Sequence, residues 1–181
     1  KIAVVGAGPA GLSAATEMAA LGHEVHLFEA SAAIGGQFNM AKRIPGKEEF
    51  YETLRYFDKM IGIRGVHLHL NTRADAGFLL KQQFSEVVIA TGVTPRKPHI
   101  PGIDHPKVLS YTDVLLHGKP VGKSVAIIGA GGIGFDVATF LTGSDGKEAA
   151  EGANEAMIDR YRAEWGIDPD YQNRGGIEQP H

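Results

Sequence analysis

Apolar positions fall into two patterns along this chain: short continuous runs bounded by glycine, and longer stretches with helical spacing. Ile2-Ala3-Val4-Val5 is a run of the first kind, and Gly6-Ala7-Gly8-Pro9-Ala10-Gly11 and an Ala/Leu/Met stretch from Leu12 to Leu21 follow at once. Strand, tight turn and helix are predicted in that order, and Val25-His26-Leu27-Phe28-Glu29 supplies the next strand. This is a βαβ unit of about 30 residues, the size of a right-handed crossover in a parallel sheet. Ala30 to Gly46 has no sustained period and reads as a long loop. Lys47 to Ile61 places Phe50, Leu54, Phe57 and Ile61 on one helical face. Val66 to Leu70 reads as a half-buried strand, Ala76 to Phe84 as a short helix, and Glu86 to Ile89 as a buried strand ending in Ala90-Thr91-Gly92. The Pro-rich tract Thr94 to Pro106 is a connector, and Tyr111 to His117 a short helix.

The opening pattern then recurs. Ser124 to Ile128 reads as a strand leading into Gly129-Ala130-Gly131-Gly132-Ile133-Gly134 and a helix from Phe135 to Leu141. After Thr142 the chain turns polar and glycine-rich, with one helix expected over Glu151 to Trp165 and no further buried strand. The fold class is α/β: a Rossmann-like domain with a parallel sheet, plus the start of a second Rossmann unit. The division expected is 1–120 for the first domain and 121–181 for the start of the second.

Composition narrows the chemistry. Lys+Arg 18 against Asp+Glu 21 gives a net charge of -3 with no run of like charges, which argues against nucleic-acid and acidic-membrane partners. No apolar stretch approaches the roughly 18 residues of a spanning helix, so a cytoplasmic protein is expected. Cys is 0, which removes thiol nucleophiles and cysteine-ligated clusters from this segment; redox chemistry here needs a bound cofactor. The start at Lys1, already entering a strand, suggests an excerpt of a longer polypeptide.

Gly6-x-Gly8-x-x-Gly11, between strand and helix, is a dinucleotide-binding fingerprint in its required context. The first glycine allows the turn, the second lets a pyrophosphate approach the backbone, and the third lets helix pack on strand; the phosphates meet the free amides of the helix N-terminus. Glu29, about 20 residues on, is placed to accept from an adenosine ribose. Gly35-Gly36 and Ala90-Thr91-Gly92 bring further close backbone approaches toward the same crevice and favour FAD over a nicotinamide dinucleotide. Gly129-x-Gly131-x-x-Gly134 is a second fingerprint, with Gly132 within it, and suggests two dinucleotides meeting to exchange a hydride. The residue that would choose NAD or NADP belongs on a following strand that these residues do not contain. His67 and His69 share a strand face but lack a third ligand nearby in sequence, so no metal site is expected. Lys47 is a candidate cation for a pyrophosphate, against the plainer reading of a solvated helix-start lysine.

Longer runs are more specific. Gly35-Gly36-Gln37-Phe38-Asn39-Met40-Ala41-Lys42, Ile44 through Tyr56, Gly102 through Tyr111, Gly131 through Asp136, and Glu164-Trp165-Gly166-Ile167-Asp168 together resemble bacterial NADPH-dependent 2,4-dienoyl-CoA reductase, a family related to trimethylamine dehydrogenases and enoate reductases. The resemblance implies an N-terminal TIM barrel holding FMN and a 4Fe-4S cluster, followed by a FAD domain into which an NADPH domain is inserted. This chain matches the FAD portion and the start of the NADPH insert. The barrel would be its partner within the same polypeptide. By the same resemblance Ala10 of the glycine loop, Glu29, Gln37, Lys47 and Ala74 match FAD-contacting positions, with Pro9 and Gly36 as cofactor-binding candidates beside them, while the groups that protonate substrate belong to the barrel, so no catalytic residue is expected here. The family's FAD domain closes with a C-terminal return beyond this chain, which predicts an unfinished sheet edge, weakened FAD affinity and a poorly ordered tail from Gly143 to His181. Two other readings stay open: a module that holds ADP or FAD without turnover, and a part of a trimethylamine-dehydrogenase-like amine oxidoreductase.

Overall fold

The computed structural model describes residues 1–143 and 155–177. In chain order the elements are β1 (Ile2–Val5), α1 (Pro9–Ala20), β2 (Val25–Phe28), α2 (Phe38–Ala41), α3 (Glu49–Ile63), β3 (His67–His69), α4 (Ala76–Lys81), β4 (Glu86–Ile89), α5 (Tyr111–Leu115), α6 (Gly132–Thr142) and α7 (Glu155–Trp165). Two compact units result, Lys1–Leu141 and Thr142–His181.

The first unit is built on a four-stranded parallel sheet of order β3-β2-β1-β4. β1 is central and buried along its whole length because both neighbours and both faces cover it, which is why it reads as an unbroken apolar run. α1 returns across the sheet and buries Leu12 and Ala15 against Val4, Val25 and Leu27, and α3 adds Leu54 and Ile61 to the same core. The α3 periodicity is explicit in the sequence; its acidic first turn, Glu49 and Glu52, suits the positive end of the helix dipole. The switch in strand order falls between β1 and β4, so the crevice at their carboxyl ends is where a parallel α/β sheet takes its ligands. A second small core joins Ile44, Leu115 and Val137, bringing the segment after α2, α5 and α6 together. Ser110 and Asp113 form a reciprocal capping box at the start of α5.

The second unit holds α7 and a loop closed by an isolated bridge between Ile167 and Ile177. The loop is organised by Asp168, a buried carboxylate that accepts from the backbone amides of Asp170 at 3.0 Å and Asn173 at 2.6 Å. These donors hold its carboxyl below the usual aspartate range despite the opposing effect of burial.

Four expectations need correction. Ser124–Ile128 is not a strand: the segment has no hydrogen-bonded neighbour, and Ile128 is 81% exposed. A parallel strand is made by its partners, and its apolar run alone does not create one. β4 forms where expected but is not buried; it is the outer strand beside β1, and Ile89 is 67% exposed. The loop over Ala30 to Gly46 contains the single-turn helix α2, whose four residues are too few to show a period. The tail is ordered in part, as α7 and the Ile167–Ile177 bridge show; 144–154 and 178–181 lie outside the described residues, and with them the first turn expected of the Glu151 helix.

Leu27 is fully buried between the sheet and α1. Leu27→Ala is expected to lower unfolding free energy by about 2–5 kcal/mol through lost burial and the cavity left behind. Urea titration followed by far-ultraviolet circular dichroism measures this.

Candidate functional site

The turn from β1 into α1 has one backbone solution. Gly6 sits at φ +104, and a Cβ there would lie 2.4 Å from the Ala90 carbonyl oxygen. A Cβ on Gly11 would lie 1.8 Å from the Gly6 carbonyl oxygen. The first and third glycines are therefore required by contact with the protein itself. Gly8 differs: a Cβ there meets nothing closer than Gly36 Cα at 4.0 Å, so the fold leaves space in front of the middle glycine. α1 begins at that spot with no side-chain cap, and Pro9 occupies its first turn without an N–H to offer. The amides of Ala10 and Gly11 thus face the crevice end of the helix, where the dipole is positive. This donor set, with a backbone close approach and no cap, fits a dinucleotide pyrophosphate.

Glu29 completes the cradle. One carboxylate oxygen accepts from the Ala7 amide at 2.8 Å, and the other from the amide and hydroxyl of Ser31, each at 2.8 Å. Burial disfavours the ionised form, but the donors from Ser31 and Ala7 outweigh it and hold the Glu29 carboxyl below the usual glutamate value. The acid expected to meet the ribose is also the brace that ties the end of β2 to the glycine loop. The fingerprint itself marks neither Ala7 nor Ser31 as a partner of Glu29; Ser31 has a local signal, since a hydroxyl two residues after a carboxylate commonly closes such a turn.

The remaining positions gather around this cradle to different degrees. The Gly35 amide donates to the Ala7 carbonyl at 2.8 Å, and a Cβ on Gly36, at φ +50, would lie 3.0 Å from Gly8 Cα, so the glycine pair rests directly on the glycine loop. Gln37 follows as the exposed N-cap of α2. The Ala90 amide donates to Val5, placing Ala90-Thr91-Gly92 across the switch point from Gly6. Ala74 lies just past Thr72, whose amide donates to the Glu29 carbonyl at 2.8 Å. Lys47 points its ammonium at Asp136 of α6, 2.7 Å from both carboxylate oxygens. No local spacing signals that pairing across the chain.

The second fingerprint repeats the first in geometry. Gly129 has φ +119, a Cβ on Gly134 would lie 2.1 Å from the Gly129 carbonyl oxygen, and the Phe135 amide donates to Gly131 as Leu12 does to Gly8. Gly131 and Gly132 meet nothing within 4 Å, again leaving the middle of the loop open. No structured strand precedes it.

The two histidines of β3 differ in exposure. His67 is exposed, but His69 is half-buried and stacks on Phe28 at 4.7 Å. Parallel register also sets His26 opposite His67, with Glu24 alongside, a neighbourhood that spacing within β3 did not reveal.

The family model for pyridine nucleotide-disulphide oxidoreductases matches residues 1–165. The chain is 36% identical over 148 residues to the metal reductase of Desulforamulus reducens, covering 80% of this chain and 22% of that protein. It is 35% identical over 153 residues to the cinnamate reductase of Clostridium sporogenes, covering 82% and 22%. Among solved structures it superposes on a 2-naphthoyl-CoA reductase with a TM-score of 0.75 at 36% identity, over 78% of this chain and 21% of that one. The chain therefore spans 22% of the length of the two curated relatives. No helix among the described residues is long and apolar enough to cross a membrane.

Gly8 and Gly11 separate ligand space from protein contact. Gly11→Ala is expected to cost about 1–3 kcal/mol or more of folding free energy by forcing apart the loop backbone. Gly8→Ala is expected to leave stability within about 1 kcal/mol of the parent sequence yet to weaken dinucleotide binding at least about tenfold. Denaturant titration and fluorescence titration read the two effects separately. Because the Glu29 carboxyl is lowered in the folded chain, its contribution is present above 4.5, the ordinary value, and is lost as pH falls through the lowered one. Unfolding midpoints should therefore differ between the parent sequence and Glu29→Gln at neutral pH and converge on acidification.

Proposed function

Since the chain belongs to the pyridine nucleotide-disulphide oxidoreductase family, we propose that it is the FAD-binding, NADPH-accepting electron-transfer portion of a flavin-dependent 2,4-dienoyl-CoA reductase, an oxidoreductase acting on CH–CH groups of unsaturated acyl-CoA. The observation that carries this reading is the repetition of one loop geometry, Gly6 to Gly11 and Gly129 to Gly134, within a single chain. Two dinucleotide cradles in one polypeptide suit a donor and an acceptor. When bound, FAD supplies the capacity to take a hydride and release electrons singly.

The chain's own residues do the holding. Ala10 and Gly11 amides receive the pyrophosphate, with Gly6 and Gly8 keeping the loop low enough for its approach and Pro9 starting the helix. Glu29 accepts from the ribose on Oε2, where about one of its roughly four acceptor sites is left beside the three used by Ala7 and Ser31. Gly36, Gln37, Ala74 and Ala90-Thr91-Gly92 line the approach. Lys47 contributes positive charge, which in this structure it shares with Asp136. Gly129, Gly131, Gly132 and Gly134 form a partial NADPH site. The domain division proposed is 1–120 for FAD and 121–181 for the beginning of the NADPH domain. A TIM-barrel domain of the same polypeptide, with FMN and a 4Fe-4S cluster, would hold the dienoyl thioester and its proton donors, in the cytoplasm. Superposition on a protein named 2-naphthoyl-CoA reductase, with a TM-score of 0.75 against 0.58 for a histamine dehydrogenase, supports an acyl-CoA substrate, whereas sequence identity alone, 36% against 37% for an N,N-dimethylglycine/sarcosine dehydrogenase, does not separate it from the amine reading.

A second reading keeps the same cradle without turnover: the loop and Glu29 address the adenosine half of the ligand, which ADP also carries. Addition of FAD to the full chain, removal of excess and a visible spectrum distinguish the two. Flavin absorbance that survives the removal of excess supports the first reading, and the apparent FAD affinity should fall at least about tenfold for Glu29→Ala, the scale of losing hydrogen bonds to a charged group. Retention of ADP with exclusion of FAD establishes the second reading instead. For the substrate, the longer polypeptide is expected to oxidise NADPH when a 2,4-dienoyl-CoA is added; NADPH oxidation with an aryl acrylate or an amine-derived acceptor but none with the thioester removes the dienoyl-CoA assignment.

A further inference from the structure

Away from the glycine loops, the outer edge of the sheet carries a second group of residues with ligand chemistry. In the β2–β3 pair, His26 and His67 are register partners. Strand side chains alternate with a period of two, so Glu24, immediately before β2, projects to the side that carries His26. The ligand atoms of Glu24, His26 and His67 lie within 4.8 Å of one another. His26 Nε2 is 3.0 Å from Glu24 Oε1, and the two imidazole rings stack at 4.7 Å.

We propose that Glu24, His26 and His67 form a site for one divalent transition-metal ion of the zinc class, clamping the edge strand β3 to β2. The donor set decides the class. Two imidazole nitrogens and one carboxylate oxygen suit Zn²⁺, Co²⁺ or Ni²⁺, whereas Ca²⁺ and Mg²⁺ take nearly all-oxygen shells. The geometry also fits: with bonds of about 2.0–2.2 Å, adjacent ligand atoms stand roughly 3–3.5 Å apart around a small cation. The Glu24–His26 pair already has that separation, and exposed His67 needs only a side-chain rotation to close on it. The ion takes the place of the His26–Glu24 hydrogen bond, while the exposed side of the cluster leaves a coordination position for water. His26 is oriented from behind, since its Nδ1 is 3.0 Å from His69 Nε2, which stands where a metal-binding histidine ordinarily has a carboxylate, carbonyl or water for its other ring nitrogen. Phe84 meets the His26 ring edge-on at 5.5 Å and fixes its plane. The neighbouring cation, Lys1, is held over the Phe84 ring at 4.8 Å and lowers the affinity without occupying the site.

The full chain, stripped with chelator, is titrated with Zn²⁺ by calorimetry and with Co²⁺ by visible absorption. Saturation at one ion per chain is expected, with a Co²⁺ spectrum typical of mixed nitrogen and oxygen ligation. His67→Ala and Glu24→Gln, both at exposed positions, should each weaken binding at least about tenfold, while His99→Ala, remote in sequence and on the Pro-rich connector, should not. Circular dichroism without metal confirms that the variants fold, and Glu24→Gln decides if His67→Ala does not. Unsaturable binding, an affinity unchanged in Glu24→Gln, or an equal loss in His99→Ala overturns the proposal. These readouts are independent of flavin and nicotinamide binding.

Discussion

The first unit depends on a contact between backbone atoms: α1 can start directly over the end of β1 only because Gly11 brings no Cβ against the Gly6 carbonyl, 1.8 Å from where that atom would sit. Gly6 in turn lies against Ala90, so the same close packing sets the distance between the glycine loop and the end of β4. Helix, central strand and switch-point crevice are fixed together. A side chain at either position would lift α1 off the sheet and take Leu12 and Ala15 out of the core.

Glu29 extends that constraint sideways. Its carboxylate spans Ala7 on the glycine loop and Ser31 beyond β2, and the Thr72 amide reaches its backbone from the segment after β3. The energetic logic is a charge kept ionised by donors in place of a salt bridge, which screens less with salt than an exposed ion pair. By contrast the Lys47–Asp136 pair is between two partly exposed groups, 39% and 33%, and contributes at the modest scale of surface pairs. What seats α6 in the first unit is the apolar contact of Val137 with Ile44 and Leu115.

Legibility in the sequence followed the range of the interactions. β1, α1, β2 and the place of Glu29 at the end of β2 are readable because run length, glycine spacing and the acid all lie within one βαβ unit, whereas the bonds that tie Glu29 to Ala7 and Ser31 are not. α3 was readable from its period. The exposure of β4 was not, because burial of a parallel strand is decided by what covers it, and Val87 and Ile89 look the same in sequence whether covered or bare. The alignment of His26 with His67 and the pairing of Lys47 with Asp136 were equally hidden, since register and helix placement join residues far apart along the chain.

The two fingerprints put the same distinction to a test within one molecule. Both loops adopt the same turn, with Gly129 at φ +119 against +104 for Gly6, and both close a third glycine onto the first. Only the first is fed by a strand. The loop conformation is therefore encoded locally, by glycines that permit a positive φ and a helix start, and it forms whether or not the preceding residues are paired. A strand over Ser124–Ile128 would need neighbours to pair with, and the exposed Val125, Ile127 and Ile128 carry the apolar pattern of a strand that the segment does not form. A glycine fingerprint thus reports where a phosphate can sit, and its sheet reports whether the rest of the nucleotide has a wall to lie against.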